Sequence, residues 1–132
     1  MATVSHTTHT TLRLPLLEAG DHLDQATFHA RYKAMPPSFH AELIGGMVIV
    51  PSPLSRGHGV YHALVMGWLT QYWIATPGTL TWDNATTILG EASEPQPDGA
   101  LIIEPACGVQ TGLSEDGYAT GAPELYCGSR FQ

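Results

Sequence analysis

The chain has almost no positive charge. Of its 132 residues, five are Lys or Arg against twelve Asp or Glu, giving a formal net charge of -7. Lys33 is the sole lysine; Arg13, Arg31, Arg56 and Arg130 are scattered. Non-specific duplex binding draws on several Lys or Arg contacts to phosphate. Composition therefore argues against tight binding to DNA. The seven histidines add charge only below about pH 6.5. Cysteine is also scarce. Cys107 and Cys127 stand alone, with no Cys-x-x-Cys spacing, which disfavours a structural zinc site of that type. No run reaches membrane-spanning length. Residues 1–11 lack both the apolar and the basic region of a signal peptide. The expectation is a cytoplasmic protein with reduced thiols and no membrane partner.

Turn formers, by contrast, are plentiful. Fourteen glycines and ten prolines divide the chain into short segments. Its length suits one domain with a single core. Residues 1–15 read as a flexible tail and 16–132 as the folded domain. A short helix is predicted over 24–33. Asp24 can cap it, Phe28 and Tyr32 fall at i, i+4, and Met35-Pro36-Pro37 ends it. Glu42-Leu43-Ile44 and Met47-Val48-Ile49-Val50 flank Gly45-Gly46, the pattern of a tight hairpin.

Residues 57–74 form the strongest helical pattern. Tyr61, Leu64, Val65, Trp68, Leu69 and Tyr72 recur at helical spacing, which predicts a broad buried face. Gly67 weakens this helix by about 1 kcal/mol relative to Ala, unless close packing needs bare backbone there. Residues 79–89 read as strand, broken at Asp83-Asn84, and 91–97 as an acidic, solvated loop. Residues 98–103 read as an apolar strand buried on both faces. A Gly-rich loop follows over 105–117, then a partial strand over 122–126. This order predicts an α/β fold with a mixed central sheet.

Pro97-Asp98 opens that buried strand, a position where metal-dependent nucleases hold a cation. Taken alone, Asp98 also suits a turn cap, and Glu42 a solvated acid on an edge strand. His58 and His62 lie at i, i+4, but Gly59 replaces the glutamate that a zinc protease needs between such histidines. Trp68, Tyr72 and Trp73 could stack on bases, although helical spacing assigns Trp68 and Tyr72 to the core. Ser55 and Ser93 lack the context of an acyl-transfer nucleophile.

Several segments occur in the order of one family. They are Ala41-Glu42-Leu43-Ile44-Gly45-Gly46, Met47 through Pro53, His58, Thr86-Thr87-Ile88-Leu89 and Glu94-Pro95-Gln96-Pro97-Asp98. Asp116-Gly117-Tyr118 and Gly121-Ala122-Pro123-Glu124-Leu125 complete the series. Together they resemble the Uma-type restriction endonucleases, a branch of the PD-(D/E)XK nuclease superfamily, over roughly residues 24–125. The resemblance implies a restriction-endonuclease-like mixed sheet flanked by helices and Mg²⁺-dependent cleavage of DNA. It places Glu42 and Asp98 as the catalytic, metal-holding acids.

In the family an apolar strand with a third acid and a lysine-bearing helix come next. Here Tyr126-Cys127-Gly128-Ser129-Arg130-Phe131-Gln132 carries neither. The expectation is thus a C-terminally truncated domain, without its last strand and helix and inactive alone. Self-association through an exposed sheet edge, a non-catalytic assembly role, or a gene remnant without function are the alternatives.

Overall fold

The computed structural model describes residues 14–53, 55–108 and 110–128. Two α-helices and eight strands occur among them: α1 (Gln25–Lys33), β1 (Glu42–Ile44), β2 (Met47–Ile49), α2 (Arg56–Ala75) and β3 (Thr79–Asp83), then β4 (Thr87–Ile88), β5 (Gly99–Ile103), β6 (Gly112–Leu113), β7 (Ala119–Thr120) and β8 (Leu125–Cys127). Local chemistry sets the starts. Asp24 accepts a hydrogen bond from the Thr27 amide at 2.7 Å and caps α1. Ser55 caps α2 in the same way through the His58 amide. Gly45 and Gly46 turn β1 into β2 with φ of 56° and 81°, angles that favour glycine at both positions.

The central sheet has the order β3-β5-β8 and is antiparallel throughout. Mixed pairing lies in the small sheet β4-β7-β6, where β4 runs parallel to β7 and β6 antiparallel to it. Helix α2 lies against β3 and β5. Gly99 makes that approach possible: a Cβ there would sit 2.7 Å from Met66 Sδ. The main apolar cluster is elsewhere, between α1 and the β1-β2 hairpin. Leu17, Phe28, Ala41, Leu43 and Val48 form it, with Leu23, Tyr32, Met35 and Phe39 packed around. Of the leucines near the N-terminal tail, Leu17 docks in this core, while Leu14 and Leu16 are exposed. Leu12 and the rest of 1–13 lie outside the described residues.

The hairpin is tied to the loop before β5. Leu43 and Glu94 exchange two backbone hydrogen bonds, at 2.8 and 3.2 Å. Glu94 is consequently fully buried, and 91–97 is not the solvated loop that its composition suggests. The backbone bridge carries the side chain inward, where partners offset the cost of burying it. Gln25 Nε2 donates to Glu94 Oε2 at 2.7 Å, and His29 Nδ1 lies 2.8 Å from Glu94 Oε1. On its other side His29 Nε2 lies 2.9 Å from Asp116 Oδ2. Asp116 also accepts from Lys33 Nζ at 2.6 Å and from Ser114 Oγ at 2.7 Å.

This clasp joins α1, the loop before β5 and the segment leading into β7. An imidazole facing carboxylates at both nitrogens bonds to both only when doubly protonated. Burial alone would lower the His29 pKa, but the Asp116 and Glu94 carboxylates outweigh it and raise the group above its usual value. Asp116 is held well below the usual carboxylate range by Lys33, His29 and Ser114.

Helix α2 also departs from expectation. Leu69 is its one buried residue among those described. Trp68 and Tyr72, predicted to be core, are 60% and 45% exposed. Helical spacing selects an apolar stripe but does not say what covers it. Here β3 and β5 cover the side of the helix that carries Leu69 and Met66, so Leu69 of the predicted stripe is buried while Tyr61, Leu64, Trp68 and Tyr72 are exposed.

Candidate functional site

Glu42 and Asp98 come from distant parts of the sequence, and the fold brings them to one cavity. Glu42 opens β1, beside the Leu43–Glu94 bridge. The bridge sets the following residues against the hairpin, and Glu42 Oε1 accepts from the Gln96 amide at 2.6 Å. Two residues on, Asp98 leads directly into β5, the middle strand of its sheet. Pro95 and Pro97 keep the intervening backbone extended. Both acids are buried, at 7% and 3% exposure. They line a cavity of about 190 Å³ together with Gln96, Thr87 and Tyr126.

Helix α2 braces Asp98 from behind. His62 Nε2 lies 2.8 Å from the Asp98 carbonyl oxygen and 3.1 Å from Asp83 Oδ1. One turn earlier, His58 Nε2 lies 3.7 Å from Asp98 Oδ2. The two imidazoles are 6.0 Å apart, centre to centre. Their i, i+4 spacing serves Asp98 and Asp83. Among the described residues, no group of three or more His, Cys, Asp and Glu side chains converges as a metal-binding set.

Other acids and cations have different roles. Glu124 Oε2 accepts from the Ile103 amide at 2.9 Å, at the far end of β5 from Asp98. Lys33 is held in the clasp by Asp116. Arg130 lies outside the described residues. Gln96, Thr87 and Tyr126 were not singled out from sequence as site residues. Thr87 and Gln96 fall within the resemblance segments, but nothing in their local pattern gives them a place at a site, because the cavity forms only when the hairpin, the loop before β5 and β8 meet.

Carboxylate oxygens are hard ligands, suited to Mg²⁺, which keeps several waters and needs only one or two protein carboxylates. The buried Glu42 and Asp98 fit that requirement. Zinc would call for more nitrogen or sulfur donors than converge here.

Among solved structures, the chain is similar to a candidate nuclease belonging to DUF820 from Anabaena variabilis ATCC 29413, with a TM-score of 0.53 and 14% sequence identity. The match covers 71% of this chain and 52% of that one. The fold is restriction-endonuclease-like. DUF820 is a Uma-type group, so the fold of that solved protein agrees with the resemblance carried by the motif order. The chain spans about half the length of the solved protein. No protein-family model matches the sequence. No curated protein sequence matches it either.

Proposed function

We propose that this domain is of nuclease type, built for metal-dependent hydrolysis of a phosphodiester, and that the 132-residue polypeptide alone is catalytically silent. One observation carries the reading: Glu42 and Asp98, far apart in sequence, are both buried and line one cavity. In this reading they hold Mg²⁺, which when bound supplies Lewis-acid activation of water and phosphate. Gln96 fixes one Glu42 oxygen through its amide, while His62 anchors the Asp98 backbone. DNA is the substrate class that the nuclease-type fold suggests. Association is weak, because a chain of net charge -7 repels phosphate except at a bound cation.

Silence follows from how the other groups are engaged. A third carboxylate would complete the acidic set, but Glu124 is tied to the Ile103 amide. The lone lysine is bound to Asp116, and Arg130 would stay protonated and so act poorly as a base. The free thiols of Cys107 and Cys127 suit a reducing compartment, so the cytoplasm is the proposed location. No helix among the described residues is long and apolar enough to cross a membrane.

Calorimetric titration with Mg²⁺ and Mn²⁺, paired with a plasmid-nicking assay, tests both halves. Weak binding that Glu42→Gln reduces at least about tenfold, without nicking, is expected. Absence of any binding would refute the metal reading. Robust nicking abolished by Asp98→Ala would refute the silence.

A second reading is favoured by β8. It forms an edge of the central sheet and leaves Tyr126 57% exposed, so another chain could pair with it in a non-catalytic assembly. Loss of self-association on Tyr126→Pro would support that reading; an unchanged oligomeric state would remove it.

A further inference from the structure

The cavity that holds Glu42 and Asp98 is small. At about 190 Å³ it falls short of the roughly 300–1,000 Å³ that small-molecule sites occupy. It has room for a hydrated cation and a phosphate oxygen, so the sugar and base of a substrate nucleotide have to lie outside it. A groove of about 690 Å³ adjoins it, and Gln96 lines both. The depression beside Lys33 and Asp116, by contrast, shares no lining residue with the acid cavity.

The groove has the chemistry of a base site. Phe39, Pro51 and Pro53 give it apolar rings, while Ser52 and Asn84 add hydrogen-bonding side chains. Phe39 is half-buried against the core, its ring centroid 6.5 Å from that of Tyr32. Asn84 follows β3 with φ of 48°, and no other described non-glycine residue has a positive φ. Asparagine tolerates that conformation better than most residues. Its carbonyl accepts from Gln96 Nε2 at 2.8 Å, and its amide donates to the Asp98 carbonyl oxygen at 3.4 Å. The groove wall is therefore bonded directly to the segment that carries both Asp98 and the amide holding Glu42.

We propose that this groove holds the base of an unpaired nucleotide whose phosphate reaches the cation at Glu42 and Asp98, so that the domain selects single-stranded DNA over duplex. The inference rests on the metal-site reading above. Charge selects the occupant. Neither the cavity nor the groove is lined by Lys or Arg, and the chain carries a net charge of -7. Duplex binding draws its affinity from several phosphate contacts to such residues. Stacking on aromatic side chains needs no cation and accepts any base. A paired base reaches Phe39 only after leaving the stack, a cost that no Lys or Arg of these walls offsets.

The test is fluorescence anisotropy on the whole chain, with a short labelled single strand and the duplex of the same sequence, each with and without Mn²⁺. Calorimetry follows Mn²⁺ binding, and circular dichroism confirms that each variant folds. In Mn²⁺ the single strand should bind with Kd of about 100 µM or tighter, at least about fivefold more tightly than duplex. Phe39→Ala should weaken it at least about fivefold. Asn84→Gly keeps the positive φ and removes the side-chain amide, for a loss of about threefold or more. Ser52 is exposed and outside the core. Ser52→Glu puts a carboxylate in the groove, so it should weaken single-strand binding at least about tenfold without reducing Mn²⁺ affinity.

Bound Mn²⁺ with no single-strand binding at about 1 mM would overturn the proposal and leave the metal reading intact. So would a preference for duplex, or single-strand binding indifferent to both Phe39→Ala and Ser52→Glu. Single-strand binding lost in Ser52→Glu, by a chain that binds no Mn²⁺, would keep the groove as a nucleotide site and refute the metal reading instead. Binding of neither ligand would refute both.

Discussion

The molecule buries acids in two places, and it treats them differently. In the clasp, buried Glu94 and exposed Asp116 meet the chain's own cations: His29 lies between them and Lys33 completes the set. Both Glu94 oxygens have hydrogen-bond partners from α1. At the cavity, Glu42 is held by a neutral backbone amide, and Asp98 lies beside histidines of α2 at one edge of a space of about 190 Å³. The first arrangement spends its charge on holding segments together. The second keeps two carboxylates at a cavity large enough for a hydrated cation and a phosphate oxygen. Buried acids alone therefore do not identify a site; what faces them does.

The sharpest way to test the contrast is to remove the cation from the clasp. His29→Ala leaves Glu94, with 0% side-chain exposure, without its charged partner. Stripping one member of a buried pair typically costs about 3 kcal/mol or more. Urea unfolding should show a loss of about 3 kcal/mol, with Mn²⁺ binding at the cavity unchanged in variant that remains folded. A loss below about 0.5 kcal/mol would mean that the clasp holds little together. Loss of Mn²⁺ binding in the folded variant would show that the two acidic regions are one coupled unit.

A smaller effect should come from pH. His29 is raised above 6.5 when folded, so its contribution is fully present below pH 6.5 and is lost as pH climbs through the elevated value. Asp116 is lowered from 3.8, so its contribution is present above pH 3.8 and is lost as pH falls through the depressed value. The clasp is strongest between those limits. Thermal melting should therefore decline on the alkaline side of pH 6.5, and His29→Gln should flatten that limb. An identical alkaline decline in His29→Gln would assign it to another group.

Much of the fold was legible in the sequence, because local chemistry decides it. The Asp24 cap, the Gly45-Gly46 turn, the break after Asp83 and the apolar run after Asp98 each fix an element through neighbouring residues. The site was legible only through the order of motifs: Glu42 and Asp98 were given a role there, but Gln96, Thr87 and Tyr126 were not. Glu94 was misread because its burial depends on a backbone bridge to Leu43, 51 residues away in sequence, which no window around Glu94 contains. The stripe on α2 is apolar as read, but of its residues Leu69 is buried while Tyr61, Leu64, Trp68 and Tyr72 are exposed. Periodicity gives the direction of a face, whereas exposure depends on which side the sheet takes.

The smallest expected change in stability is also the most discriminating. Asp98→Asn keeps the shape of a side chain that is 3% exposed and removes its charge. If Asp98 is present for a cation, its charge serves binding more than it holds segments together. Neutralising it should then leave stability within about 1 kcal/mol of wild type or raise it. Mn²⁺ affinity should fall at least about tenfold in the same protein. If Asp98 is instead a clasp like Glu94, with His58 in the role of His29, the variant should be destabilised by about as much as His29→Ala. The contrast between the two regions would then collapse, and the cavity would be an accident of packing. Opposite signs on stability and metal binding in one variant cannot come from a purely structural acid.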